Sequence, residues 1–326
     1  MADKKIIAVL GATGAQGSGL VRAILADKNG GFAARAITRD ANSDKAKELA
    51  KLGAEVVAGD VDDLESLKKA FAGAHGVFGV TFFWAHFSPA KEIGHAANIA
   101  QAAKAAGVKH VIWSSLEDTR KWIPLSDNRM PTLQGTYKVP HFDAKGESDE
   151  QFTKLGLPLT ILLASFYWDN AIYFGMGPHR GEDNKLALTL PMGDKKLAGI
   201  AAGDIGKCAY GIFKAGSTLI GKTVGISGEQ LTGKELAAGY AKALGEPVSY
   251  NAVSWDAYRA FGFPGAEDLG NMFQFYCDCE DYFLGARDLA TSRALNPELQ
   301  TFEVWLAENK SRIPIEPVKE AVKASV

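Results

Sequence analysis

The sequence predicts an α/β fold, a doubly wound parallel sheet followed by a smaller C-terminal α/β lobe, and three observations carry that expectation. Residues 5–17 (KIIAVLGATGAQG) run from an apolar strand straight into a glycine-rich turn. Strand-like and helix-like segments then alternate through residue 165, which is the pattern of βα units feeding one sheet. Beyond that point the periodicity becomes irregular and aromatic residues accumulate. The expected division is a dinucleotide-binding Rossmann core over 1–165 to which later segments return, a smaller substrate or partner lobe over 166–312, and a flexible tail over 313–326.

Each element follows from its residues. Lys5 to Leu10 holds no turn former, as a buried parallel strand should not. Gly11 permits the tight turn out of it, Gly14 lets backbone N–H groups approach a pyrophosphate, and Gly17 lets the next helix lie close to the sheet. The helix from Ala15 to Ala26 aims its unpaired N–H groups and the positive end of its dipole at that phosphate. A second strand, Phe32 to Ile37, ends in Thr38, Arg39 and Asp40. An acidic residue at this strand end would bind a ribose 2′-hydroxyl, whereas the guanidinium fork of Arg39 suits a 2′-phosphate. NADP(H) is therefore expected over NAD(H).

The third strand is Ala54 to Ala58, ending at Gly59-Asp60, after a helix over Asp44 to Leu52. A helix from Val61 to Phe71, opened by Asp62 and Asp63, leads to a fourth strand, Gly76 to Val80. Ala90 to Ala106 is a long helix stopped by Gly107, and Lys109 to Trp113 is the fifth strand. Leu116 to Pro140 reads as a long loop over the carboxyl edge of the sheet, where ligands bind. A helix over Pro140 to Leu155 and a sixth strand over Pro158 to Ala164 complete the core. Further on, a strand over Lys222 to Ile226 and helices over Thr232 to Leu244 and Pro264 to Phe275 are expected. Gly228 to Lys234 imitates a phosphate loop, but Glu235 stands where Ser or Thr would bind Mg²⁺; Thr232 with Glu235 reads as a capping box instead.

Composition narrows the function classes. A net charge of −2 and a pI near 6.3 provide no electrostatic footprint for nucleic acid. No apolar run has membrane-spanning length and the N-terminus has no signal-peptide pattern, so a cytoplasmic protein is expected. Three cysteines, Cys208, Cys277 and Cys279, cannot all pair, in keeping with a reducing compartment. His86, His95 and His110 show no ligand-like spacing with carboxylates or cysteines, and no metal is expected.

The segments GATGAQGSGLV (11–21), TR (38–39), GAEVVAGDVDD (53–63), HFDAKGESDEQF (141–152), YWDN (167–170), LPMGDKK (190–196) and FGFPGAEDLGNMFQFY (261–276) together resemble the NmrA-like, HSCARG-type atypical short-chain dehydrogenases/reductases over nearly the whole chain. Members serve as NADP(H) redox sensors and transcription co-regulators, and relatives reduce quinones or phenylpropanoids. The resemblance implies that Thr13, Gly14, Ala15 and Gln16 hold the pyrophosphate and Arg39 the 2′-phosphate. Asp60 would lie beside the adenine, and Thr81, Phe82 and Phe83 would border the adenosine ribose. Lys145 would reach the nicotinamide ribose, with Tyr167 and Asn170 near the nicotinamide edge. Sensors of the family often carry a second basic residue where this chain has Asn42 and Ser43; Lys45 is nearby.

The reductase chemistry of this superfamily uses a tyrosine acid four residues before the lysine, on one helix face. Here His141 holds that position, and Tyr137 lies one turn earlier, ahead of Pro140. In one reading Lys145 only binds ribose and no hydride moves. In the other, His141 or Tyr137 donates the proton while Ser114 and Ser115 orient a carbonyl. The leading expectation is a nicotinamide redox sensor or regulator with weak or no hydride transfer, in which the cofactor orders the 116–140 loop and so alters a surface for a protein partner. The alternative is an NADPH-dependent oxidoreductase of quinones or conjugated aromatic carbonyls, stacked by Trp84, Phe87, Trp122, Phe166, Tyr167 and Trp168. Either a monomer or a homodimer fits the sequence.

Overall fold

The computed structural model describes residues 4–316. The chain begins β1 (Lys5–Val9), α1 (Ala15–Ala26), β2 (Phe32–Thr38), α2 (Asp44–Lys51), β3 (Glu55–Ala58), α3 (Leu64–Phe71) and β4 (Gly76–Gly79). It continues α4 (Pro89–Ala106), β5 (His110–Ser115), α5 (Pro140–Thr153) and β6 (Leu159–Leu163). Next come β7 (Phe166–Tyr167), α6 (Asn170–Tyr173), β8 (His179–Arg180), β9 (Leu186–Leu190), β10 (Lys196–Ile200) and α7 (Ala202–Ala215). The described chain ends with β11 (Thr223–Gly225), β12 (Glu229–Thr232), α8 (Gly233–Leu244), β13 (Val248–Ala252), α9 (Trp255–Arg259), α10 (Ala266–Asp278), α11 (Glu280–Gly285), α12 (Leu289–Leu295) and α13 (Phe302–Asn309).

Seven parallel strands form the main sheet in the order β11-β6-β5-β4-β1-β2-β3. β1 has β2 on one side and β4 on the other, so the winding reverses there and a crevice opens beyond the strand ends. The doubly wound class expected from sequence is what the sheet shows. Its two faces are dry for different reasons. Leu20, Val21 and Ile24 of α1 join Ile205, Cys208, Ile212 and Phe213 of α7 over one face. Leu67 and Phe71 of α3, Ile99 and Ala103 of α4 and Phe152 of α5 cover the other, where Phe152 stacks on Trp113 with centroids 4.8 Å apart.

The rest of the chain builds two three-stranded sheets, β12-β10-β7 and β13-β9-β8, around a third core that includes Phe166, Trp168, Tyr240, Tyr258, Phe273 and Trp305. α7 and β11 return from this half to the main sheet.

Several boundaries move for identifiable reasons. α3 starts at Leu64 rather than Val61, because the Asp63 carboxylate accepts from the Glu65 and Ser66 amides and so defines the first turn. α8 carries the expected capping box between Thr232 and Glu235. The first four residues of the expected tail, 313–316, are packed: Ile313 is buried, and the Glu316 carboxylate accepts from His179 and the Arg180 amide. Residues 317–326 of that tail lie outside the described residues. No helix among the described residues is long and apolar enough to cross a membrane.

Candidate functional site

The glycine-rich turn lies at the carboxyl end of β1, where the winding reverses. Gly11 has φ +58°, the left-handed region that β-carbon sterics disfavour. A Cβ on Gly17 would stand 2.4 Å from the Gly11 carbonyl oxygen, so only glycine lets α1 lie this close to the turn. Gly14 is the N-cap of α1 and no side chain caps it, in contrast to Ser43, Asp63, Ser88 and Thr232 at other helices. The first-turn amides of Ala15, Gln16 and Gly17 therefore face outward with the dipole behind them, which suits a pyrophosphate. Thr13 lies in the turn between Gly11 and Gly14. The Gln16 side chain accepts from Ser114 Oγ at 2.8 Å and donates to the Tyr167 hydroxyl, tying the turn to β5 and β7. What Gln16 offers a phosphate is its backbone N–H.

Arg39 and Asp40 are exposed just past β2, and among the described residues Arg39 has no hydrogen-bond or ion-pair partner. Asp60 is half-buried and its carboxylate accepts from the Asp62 amide. After β4 the chain places Thr81 and Phe83 inside and leaves Phe82 57 % exposed at the crevice. Tyr167 is held by Gln16, and burial pushes its hydroxyl up to about 12, so it is no acid near neutrality. Asn170 opens α6 three residues beyond the end of β7.

α5 presents two stripes. His141, Lys145 and Asp149 follow one another at one-turn spacing, while Asp143 and Glu147 occupy another face. On the first stripe, Lys145 Nζ donates to Thr81 Oγ1 at 2.7 Å and lies 2.8 Å from Glu92 Oε1. One turn earlier, His141 Nδ1 is 2.6 Å from Asp268 Oδ1 on α10, and the His141 backbone N–H donates to the other oxygen of the same carboxylate at 3.1 Å. This fixes the tautomer: Nδ1 carries the proton toward Asp268, and Nε2 is left without a protein partner among the described residues. Trp84 packs on the imidazole, with centroids 4.7 Å apart. Gly265, which precedes α10 at φ +88°, leaves room for Trp84; a Cβ there would meet the indole at 2.7 Å.

A cavity of about 430 Å³ adjoins the pair, lined by Asp268, Phe83, Phe87, Pro140, Phe263 and Arg259 among others. That volume accommodates a small flat molecule. Phe83 and Phe87 line it and Trp84 borders it through His141, but the other proposed stacking aromatics do not. Phe166 and Trp168 belong to the core of the smaller lobe, and Trp122 packs on Tyr282.

Tyr137 lies on the side of the second stripe. Its ring lies under the Arg120 guanidinium at 5.1 Å, and Arg120 pairs with Glu147, so Tyr137 belongs to the face turned from Lys145. Burial raises its hydroxyl above the ordinary phenol value. Ser114 and Ser115 are also engaged, with Gln16 and with Asp149, rather than free to orient a carbonyl. The 116–140 loop is tied down by protein contacts: Asp143 accepts from Thr119, Lys138 and Val139, and Asn271 Nδ2 donates to the carbonyls of Pro131 and Lys138.

Asp149 closes the first stripe. Burial pushes its carboxyl up to about 7, against the opposing hydrogen bond from Ser115. Between the ordinary carboxylate value and about 7, the folded chain holds a proton that the unfolded chain releases, so this group lowers stability as pH rises through that window. Asp149→Asn is therefore expected to gain on the order of 2 kcal/mol over the parent at pH 8 and nothing at pH 4, read from urea unfolding at both pH values.

Two residues were missed in sequence. Asp268 is 127 positions from its partner, and no local signal links them. Glu92 was not singled out at all; with His86 and His95 it brings three donor atoms within 4.8 Å of one another, a proximity that the sequence spacing did not suggest.

The model of the NmrA-like family matches residues 3–306. An NmrA-like family domain-containing oxidoreductase, FrzB of Cladobotryum sp, is 32 % identical over 83 % of this chain and 83 % of its own. An NAD(P)H azoreductase of Xenophilus azovorans is 29 % identical over 87 % of this chain and 91 % of its own. Among solved structures, the negative transcriptional regulator NmrA, in complexes with NADP and with NAD, superposes at a TM-score of 0.75 with 24 % identity, covering 94 % of this chain and 95 % of the regulator.

Proposed function

The chain belongs to the NmrA-like family, and from that premise we propose that it is a nicotinamide-dinucleotide-dependent reductase of flat, conjugated acceptors such as quinones and aromatic carbonyls. One observation carries this reading above the regulator. His141, oriented by Asp268, lies one helical turn from Lys145 and adjoins an aromatic-lined cavity of about 430 Å³. The proton donor that the missing tyrosine seemed to remove has a counterpart built from two parts of the chain. The regulator mechanism loses support because side chains of α5 and α10 already hold the 116–140 loop.

The uncapped α1 terminus and the Gly17 approach fit a pyrophosphate, and relatives solved with NADP and NAD support a nicotinamide dinucleotide as cofactor. When bound and reduced, that group supplies a hydride. The chain's residues do the rest. Lys145 donates toward the nicotinamide ribose, Phe83 and Phe87 pack on the acceptor, and the doubly protonated His141 ring, its Nδ1–H held by Asp268, gives the Nε2 proton that completes the two-electron reduction at the acceptor's heteroatom, leaving the neutral Nδ1–H tautomer to be reprotonated from solvent. Asp268 holds the ring so that Nε2 faces the acceptor.

Consumption of NADPH and of NADH is the direct test, run against quinones, aromatic enals and azo compounds. Saturable turnover with any of them is expected; tight binding of the dinucleotide with no turnover across the panel would return the protein to the regulator class. The exposed guanidinium of Arg39 bears on cofactor choice. Charged hydrogen bonds contribute about 1.5–3 kcal/mol, so Arg39→Ser is expected to weaken NADPH roughly 10- to 100-fold and leave NADH nearly unchanged, measured by calorimetric titration.

A further inference from the structure

The buried charges behind Lys145 have a use of their own. Glu92 is 0 % exposed on α4, and two chemistries compete to explain it. The first is a metal site, since His86, Glu92 and His95 converge. The hydrogen bonds argue against it. His86 Nδ1 accepts from the Ser88 backbone N–H at 3.0 Å, so the neutral ring carries its proton on Nε2. Burial holds this imidazole below its ordinary range despite the neighbouring carboxylate, which keeps it neutral. Nε2 then carries an N–H, not a lone pair, 3.4 Å from Glu92 Oε2, with no hydrogen bond formed between the two. His95 Nε2 is taken by Asp62 at 2.8 Å. The Glu92 carboxylate already has its counter-ion in Lys145.

The second explanation counts donors. Lys145 has three N–H groups. One goes to Thr81 Oγ1 at 2.7 Å and one to Glu92 Oε1 at 2.8 Å. Thr81 in turn donates its hydroxyl proton to the same Glu92 oxygen, closing a three-membered ring of contacts. Among the described residues the third meets a long 3.4 Å contact to the Thr81 carbonyl, and the ammonium stands 5.2 Å from the centroid of the Trp113 ring. Burial works to raise the Glu92 carboxyl, yet the Lys145 charge with the hydrogen bonds from Lys145 and Thr81 brings it below its ordinary value, so it stays ionised beside the ammonium.

We infer that Glu92 is a positioning residue: it anchors the Lys145 ammonium through Oε1 and aims one remaining N–H at the ribose hydroxyls of the nicotinamide half of the cofactor. Thr81 is the second anchor, and His86 backs Glu92 from the other side. The inference rests on the reading of Lys145 as a ribose ligand, and the test separates the two.

Parent, Lys145→Met, Glu92→Gln and the double variant are titrated calorimetrically with whichever reduced dinucleotide binds the parent more tightly, NADPH or NADH. Each is also titrated with the adenine half of that dinucleotide alone, 2′,5′-ADP or ADP, which lacks the second ribose. Lys145→Met is expected to weaken the dinucleotide about 10-fold and the adenine half not at all. Glu92→Gln should weaken the dinucleotide by a similar factor, again sparing the adenine half, and should add nothing in the Lys145→Met background. The preserved affinity for the adenine half verifies that each variant is folded, and the double variant removes both buried charges if Glu92→Gln alone leaves the ammonium too poorly compensated to fold. A dinucleotide affinity unmoved by Lys145→Met overturns the ribose reading itself. Loss with Lys145→Met but none with Glu92→Gln overturns the positioning role alone. An equal loss of both ligands in Glu92→Gln, or a further loss in the double variant, makes Glu92 a general structural residue and overturns it as well.

Discussion

Substitution of His141 by Ala is expected to lower kcat for an accepted acceptor about 10²- to 10⁴-fold, the span that a positioned general acid contributes. Dinucleotide affinity should change by less than a factor of about three, because the imidazole meets Asp268, Phe83 and Trp84 rather than the glycine-rich turn. Asp268→Asn should produce a related defect from the other side. An amide oxygen lacks the charge with which the carboxylate holds the Nδ1–H and stabilises the imidazolium, so the ring loses its support as a proton donor at Nε2, while His141 itself is retained. The two losses should not add, since both act through one proton donor. Turnover undiminished in His141→Ala would remove the acid from the mechanism and leave the cavity as a binding site only.

The second large effect concerns stability. Arg287→Ala is expected to cost about 3–5 kcal/mol, the range for removing one partner of a buried ion pair. Arg287 is 0 % exposed, and its guanidinium meets both oxygens of the Glu117 carboxylate, at 2.7 and 3.0 Å. Nε donates to the Ala164 carbonyl, and the Phe283 ring lies 3.6 Å from the guanidinium carbon. Glu117 follows β5 and Ala164 follows β6, whereas Arg287 follows α11, so this one side chain joins the exits of two sheet strands to the smaller lobe. Its loss strands a carboxylate in a dry site. The double variant Glu117→Leu/Arg287→Met should recover most of the loss, because the charge to be compensated is gone. Urea midpoints for Arg287→Ala and the double variant, each against the parent, test both halves of this expectation.

The main sheet was legible because its determinants are local. An apolar run ending in glycine, a capping serine or aspartate and a stop glycine act within a few residues, and the six expected core strands appear within one or two positions of their places. α7 escaped reading. Its Gly203, Gly206 and Gly211 suggest a loop, yet a Cβ on Gly206 would fall 2.1 Å from the Leu20 amide and one on Gly211 2.2 Å from the Leu295 carbonyl. Glycine is there to let backbones meet, a demand set by tertiary packing that local propensity does not record. The short strands β7 to β10, β12 and β13 were missed for a related reason: apart from β8, whose partner is the neighbouring β9, each pairs with a segment far along the chain, and none is long enough to show a clear period.

Within the site the same division holds. The glycine turn and Arg39 could be picked out from the local sequence, and Lys145 and His141 through the family resemblance. Asp268 and Glu92 could not, because their importance comes from what the fold brings opposite them. Tyr137 looked available by spacing until the rotation of α5 put Arg120 and Glu147 on its side.

The two halves of the proposed proton donor have separate addresses in the chain, the imidazole on a helix of the sheet domain and its carboxylate on α10. Sequence drift can therefore part them. A single change at the α10 position would silence proton donation without touching the dinucleotide cradle, and what remained would still bind the cofactor. On such a scaffold, reductases and cofactor-reading regulators are neighbours in mutational space, separated by the fate of one carboxylate and not by a change of fold.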